Sequence, residues 1–165
     1  MNILIGSTRF NNETLKENET YIKNYGINGI VYGVPLKIKE CYPVNAIIFV
    51  IEMNNDLNKI NGIGLIRNCL SYDFRHCIYQ NHNWNRYIYH GKYWVNREQL
   101  ENTNKELLEK IEYALFKGKS HMKRVSGITT FTQRNYTRWK LNEKEMKRTF
   151  KKIFMEKYNY GNDCS

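Results

Sequence analysis

The chain has 165 residues and a formal net charge of +10, from 26 Lys and Arg against 16 Asp and Glu. One domain is the expected size, and 41% hydrophobic residues with 14% aromatics exclude a wholly disordered chain. The longest apolar run, 46–51, is far short of the roughly 20 residues that cross a bilayer, so no membrane span is expected.

Residues 2–6 open the chain as a short strand candidate. They carry no basic leader and too few apolar residues for a secretory signal, so the expected compartment is intracellular. Residues 13–25 read as a polar helix ended by Gly26, and residues 29–33 as a strand that turns out at Val34-Pro35-Leu36. The run 46–51 is a buried strand by its length and β-branching. Asn54-Asn55-Asp56 makes a turn, and 60–66 returns as the second arm of a hairpin in which Gly62 and Gly64 permit a bulge or the close approach of another group.

Two aromatic strands, 86–89 and 93–95, flank the turn His90-Gly91-Lys92 and are expected to pair as a hairpin. Thr103 followed by Glu106 has the capping-box spacing. Leu107, Ile111, Ala114 and Leu115 continue at helical period, which predicts a helix over 103–117 stopped by Gly118. Asn142 and Glu145 repeat that spacing ahead of a second helix. Its apolar stripe is Met146, Phe150, Ile153 and Phe154, and Lys144, Lys147, Arg148, Lys151 and Lys152 occupy the remaining face.

Charge is distributed unevenly. Residues 1–116 hold 13 Lys and Arg against 12 Asp and Glu, whereas residues 117–165 hold 13 against 4. Compositional bias toward lysine would spread along the chain, so this asymmetry points to a surface that meets something anionic. The division predicts a core over 1–116 and a basic loop and helix over 117–165 packed on it, within one domain.

Local motifs argue against several chemistries. Cys41, Cys69, Cys77 and Cys164 lack paired spacing, which favours free thiols over a disulfide frame. Cys69, His76, Cys77 and His82 lack the pairing that preorganises a zinc site, so neither metal nor cofactor is assigned. Gly118-Lys119-Ser120 has the ending of a phosphate-binding loop, but Tyr113 stands where its first glycine belongs. No catalytic residue is assigned. A site around His76, Cys77 and His121 is the alternative, in which the protein processes nucleic acid. A second alternative docks the basic helix on an acidic protein.

Aromatic residues interleaved with cations form the stronger pattern: Trp84, Arg86, Tyr87, Tyr89, Lys92, Tyr93 and Trp94. Single-stranded nucleic acid is held by stacking on such rings while Lys and Arg follow its phosphates.

The segment 46–51, the polar turn Glu52-Met53-Asn54 and the glycine-marked strand 60–65 resemble the central strand, turn and return strand of the PUA-like superfamily. That superfamily includes the YTH, EVE and ASCH domains. Its members are small barrels that bind RNA or modified bases. The resemblance covers roughly residues 1–100, and it implies that Trp94 stacks on a base with Asn54 at the pocket rim; Trp84 and Tyr32 are candidates for the other cage position. The abundance of Ile, Lys, Asn and Tyr, with two Ala and two Pro, resembles reading frames of large DNA viruses and would place the protein in a host cytoplasm.

The expectation is therefore an α+β fold with a small, strongly bent sheet or barrel and a basic C-terminal helix, binding RNA or single-stranded nucleic acid. Trp84, Tyr87, Tyr89, Trp94 and Asn54 would meet bases. Lys119, Lys123, Arg124, Arg134, Arg138, Lys147, Arg148 and Lys151 would meet phosphates.

Overall fold

The computed structural model describes residues 2–72 and 77–159. Its elements in chain order are β1 (Ile3–Phe10), α1 (Asn12–Asn24), β2 (Ile30–Val34), β3 (Ile47–Asn54), β4 (Lys59–Arg67), a 3-10 turn (His82–Asn85), β5 (Tyr87–Gly91), β6 (Tyr93–Asn96), α2 (Arg97–Glu112) running into a π turn (Tyr113–Lys117), β7 (Thr129–Thr130), α3 (Gln133–Trp139) and α4 (Glu143–Asn159). The fold is α+β, with a five-stranded mixed sheet ordered β6-β4-β3-β1-β7 and a separate two-stranded ladder of β2 and β5.

Strand periodicity sorts the side chains into two cores. Ile5, Phe49, Ile51, Ile63 and Val95 point to one face of the main sheet, where α2, α3 and α4 close over them through Leu108, Ile111, Tyr136, Met146 and Phe150. Ile48, Val50 and Ile66 point to the other face and meet β2, β5 and α1 through Val31, Tyr32, Tyr89 and Tyr21. Segments on both sides of residue 117 thus share one core.

The hairpin forms as the sequence predicts. β3 and β4 pair antiparallel, with a register shift between Glu52 and Met53. Both glycines are places of close approach: a Cβ on Gly62 would lie 2.6 Å from the Trp94 ring, and one on Gly64 would collide with the Tyr32 hydroxyl. The helix after Asn142 also forms, with Met146, Phe150, Ile153 and Phe154 all buried.

Other expectations are corrected. The main sheet does not close into a barrel. At the exposed side of β6 the Trp94 backbone N–H donates to the Tyr158 hydroxyl at 2.9 Å, and that hydroxyl donates to the Trp94 carbonyl at 2.8 Å, so α4 satisfies the edge that closure would need. The two aromatic strands do not form a hairpin with each other. β5 pairs with β2 and β6 with β4, and the chain changes sheets at Gly91, where a Cβ would collide with the Leu65 carbonyl oxygen.

The third correction concerns α2, which starts six residues ahead of the expected start. Asn96 accepts from the Gln99 N–H at 3.0 Å in a reciprocal capping box. Thr103 instead bonds back to the Gln99 carbonyl, and Asn104, at φ −155° and ψ 82°, interrupts the helix and recaps it by accepting from the Leu107 N–H. Among the described residues no helix is long and apolar enough to cross a membrane.

Candidate nucleic-acid interface

The site grows from the end of β1. Thr8 and Phe10 face the ladder of β2 and β5, Arg9 lies between them, and Asn11 then caps α1 by accepting from the Thr14 N–H at 2.8 Å. This tight strand-to-helix junction leaves a cavity of about 570 Å³, lined by Thr8, Arg9, Asn55, Glu17, Tyr32 and Trp84 among others. Trp84 belongs to the 3-10 turn, which Asn85 anchors by accepting from the Ile78 and Tyr79 N–H groups at 3.0 and 2.9 Å.

Arg9 joins the cavity to the basic segment. Its guanidinium carbon stands 5.5 Å from the centroid of the Trp84 ring, while its two terminal nitrogens donate to the Lys123 carbonyl at 3.0 Å and to the Ser126 hydroxyl at 3.2 Å. Asn55 donates to the same Lys123 carbonyl at 2.8 Å. The segment that follows the π turn is thereby held at the cavity edge. It also crosses from one core to the other, with Met122 buried in the first and Ile128 in the second. Its other flank is fixed by α3: Arg138 donates to the Ser120 hydroxyl at 3.1 Å, and the Trp139 indole donates to the Ser120 carbonyl at 3.2 Å. The Arg9 Nε and the Asn55 Oδ1 are buried and lack a hydrogen-bond partner among the described residues.

Of the expected base-contacting residues Trp84 lines this cavity, as does the other cage candidate Tyr32, which is buried at 1% exposure with its hydroxyl on Glu52. Tyr89 is buried at 2% exposure and its hydroxyl accepts from the Ile38 N–H at 3.0 Å, so it is a core residue of the ladder and not a stacking platform. Asn54 is likewise buried; its side-chain oxygen accepts from the Asp56 and Leu57 N–H groups, and it shapes the β3–β4 turn instead of a pocket rim. Tyr87 is half-buried beneath the Lys37 ammonium, 5.3 Å from the ring centroid. Trp94 lies against Gly62 with Lys157 at 5.3 Å over its ring, and its indole N–H donates to Glu52 at 3.0 Å.

The cations divide into two groups. Lys119, Lys123 and Arg124 lie on the tethered segment, and Arg134 and Arg138 on α3 beside it. Lys147, Arg148 and Lys151 lie on α4, which, like α3, packs on the sheet face opposite the one that Thr8 and Phe10 line, but among the described residues makes no contact with the tethered segment comparable to the Arg138 bond to Ser120. Lys147 is also paired with Glu143 at 2.7 Å. For the alternative site, Cys77 Sγ stands 3.6 Å from His82 Nδ1, while His121 belongs to the basic segment. Cys41, Cys69 and Cys77 are free thiols, and His76 and Cys164 lie outside the described residues.

Beneath the cavity Glu52 is buried and receives three donors: the Tyr32 hydroxyl at 2.7 Å, the Asn61 amide at 2.8 Å and the Trp94 indole. Burial pushes its carboxyl up, and these three bonds pull against that rise without cancelling it. The same burial and the adjoining carboxyl hold the Tyr32 phenol well above its ordinary value, so it stays protonated and donates.

Arg9, Thr8 and Asn55 are site residues that the sequence pattern did not single out. The signal that was present is a charged residue near the end of a strand, two positions before the helix cap Asn11. No family model matches the chain, and neither the curated proteins nor the solved structures give a match.

Proposed function

We propose that the protein binds RNA or single-stranded nucleic acid, with one base entering the cavity against Trp84 and the flanking phosphates running along residues 117–124 and α3. The observation that carries this reading is the double engagement of Arg9, which stands over the Trp84 ring and holds the Lys123 backbone. An aromatic wall and a cationic strip are thereby adjacent, as single-strand recognition requires.

The cavity's own charges separate the two tasks. Arg9 is accompanied by Glu13 and Glu17, whose carboxylates disfavour a phosphate inside, whereas Lys119, Lys123, Arg124, Arg134 and Arg138 outside favour one. We read the fold itself as an opened PUA-like arrangement, in which the ladder of β2 and β5 has left the main sheet and the basic C-terminal region supplies the phosphate-binding surface.

The test is binding of short RNA oligonucleotides across a salt series. Wild type should lose affinity steeply with salt through counterion release, and Trp84→Ala should weaken binding by about 1–3 kcal/mol with little change in salt slope. Replacing Lys119, Lys123 and Arg124 by Gln should lower the slope by about one unit for each phosphate that is no longer neutralised. Salt-insensitive binding, or none, overturns the proposal. Including an N6-methylated adenine oligonucleotide tests the modified-base part of the resemblance.

A further inference from the structure

Lys92 and Tyr93 belong to the interleaved aromatic and cationic run, yet neither lines the Trp84 cavity. They line a second cavity, of about 590 Å³, with Arg67, Tyr72, His90 and Leu65. It lies at the end of the main sheet where β3 starts and β4 finishes, with Ile47 and Arg67 in its wall, whereas Asn55 in the first cavity follows the far end of β3.

Its formally charged lining, among the described residues, is Arg67 and Lys92. Arg67, Lys92 and His90 line it, and among the described residues no carboxylate does. Arg67 makes a long 3.4 Å contact to the Asn45 carbonyl, and Lys92 has no hydrogen-bond or ion-pair partner among the described residues. Two large rings present surface to water beside these cations: Tyr72 is 78% exposed, and Tyr93, which packs edge-on to Tyr158 with ring centroids 4.8 Å apart, is 43% exposed. An acidic peptide would satisfy the cations and leave both rings solvated, whereas a nucleotide carries the anion and the flat apolar face together.

We propose that this cavity is a second nucleotide site, with a base resting on Tyr93 and Tyr72 and its phosphate at Lys92 and Arg67. It is independent of Trp84, and together with the Trp84 reading, on which this part rests, it makes the interface bipartite. The eight residues of β3 separate the two cavities by roughly 25 Å at strand rise, and a single strand with its bases unstacked crosses this in fewer nucleotides than the roughly seven that the stacked duplex spacing of 3.4 Å would need. A strand shorter than this occupies one cavity at a time, and a longer one occupies both with a gain from linkage.

The experiment measures binding of uridine oligonucleotides of about two and about twelve residues, chosen to fall below and above that span, to wild type, Trp84→Ala and the double variant Arg67→Glu, Lys92→Glu. Both charge changes are at exposed positions, and far-UV circular dichroism verifies folding. Trp84→Ala should still bind the short oligonucleotide, adding the double charge change should weaken that residual binding by about five-fold or more, and the affinity step with length should vanish in the double variant.

If Trp84→Ala abolishes all binding and the double variant matches wild type, the second site is overturned and the Trp84 reading stands. If Trp84→Ala is neutral while the double variant loses binding, the second site stands and the Trp84 reading falls. Absence of binding in wild type overturns both, and displacement of the oligonucleotide from Trp84→Ala by a polyglutamate peptide at equal charge overturns the second site as a nucleotide site.

Discussion

The Tyr32 hydroxyl donates to Glu52 Oε1 at 2.7 Å, and this bond ties the β2–β5 ladder to the centre of the main sheet. Both residues are buried, so the hydrogen bond forms where water cannot replace it. Tyr32 also seats its hydroxyl on Gly64, where any side chain would collide with it.

Removing the donor should therefore be costly. Tyr32→Phe leaves the buried carboxyl with two donors in place of three and is expected to destabilise the protein by about 1–3 kcal/mol, the cost of a buried polar group short of a partner. The midpoint of urea unfolding at neutral pH measures this; an unchanged midpoint would show that the bond contributes nothing.

The pH dependence has a definite sign. Because burial raises the Glu52 carboxyl, the folded state holds that proton more tightly than the unfolded chain does. Its contribution to stability is complete below the ordinary carboxylate value of about 4.3 and is lost as pH rises through the folded value. Glu52→Gln removes the titration, so its unfolding free energy should fall less than wild type's across that window. Parallel profiles for the two proteins would refute the assignment.

Gly64→Ala should test the contact between the sheets from the other side. Its Cβ would overlap the Tyr32 hydroxyl and lie 2.6 Å from Ile30 Cδ1, so the ladder must shift, at an expected cost of about 1–3 kcal/mol or more. Thermal unfolding of this variant, with Gly118→Ala as a comparison at an ordinary φ of −66° where the added Cβ meets nothing closer than 3.6 Å, separates overlap from the effect of replacing a glycine as such.

Arg9→Ala should release the basic segment. Two of the bonds that hold residues 123–126 come from Arg9, and Asn55 supplies a third. Limited trypsin digestion is expected to cut at Lys123 or Arg124 several-fold faster than in wild type, since local opening there becomes easier. Equal cleavage rates would mean that the segment is held by Met122 and Ile128 without help from the guanidinium.

The two groups of cations should differ in weight. Lys147→Glu, Arg148→Glu and Lys151→Glu together are expected to reduce oligonucleotide affinity less than the same exchange at Lys119, Lys123 and Arg124, because Arg9 and Asn55 tie the Lys123 backbone to the Trp84 cavity, whereas α4 packs on the main sheet through Met146, Phe150, Ile153 and Phe154. Titrations at one fixed salt concentration compare them, and an equal or larger loss from the α4 variant would move the phosphate path to that helix.

The linear pattern was enough for the segments whose partners are near in sequence. The β3–β4 hairpin follows from the β-branched run, the Asn54-Asn55-Asp56 turn and Gly62 and Gly64, since both arms and the turn occupy one short stretch. The α4 helix follows from Asn142, Glu145 and the stripe Met146, Phe150, Ile153 and Phe154. The seven-residue α3 and the two-residue β7 carry too little periodicity to be read ahead of their packing, although Thr132 and Asn135 do form a capping box.

Residue order alone thus settled several local elements, the lack of a long apolar span and the concentration of positive charge after residue 116. Which rings face water, and which cations lie beside them, was settled by the packing of distant segments. Tyr87, Tyr89, Tyr93 and Trp94 belong to one aromatic run in sequence, yet the change of sheet at Gly91 buries Tyr89, packs Trp94 on Gly62 and leaves Tyr93 exposed. Strand alternation fixes that neighbouring side chains diverge, but the element covering each face is brought there by parts of the chain far away in sequence.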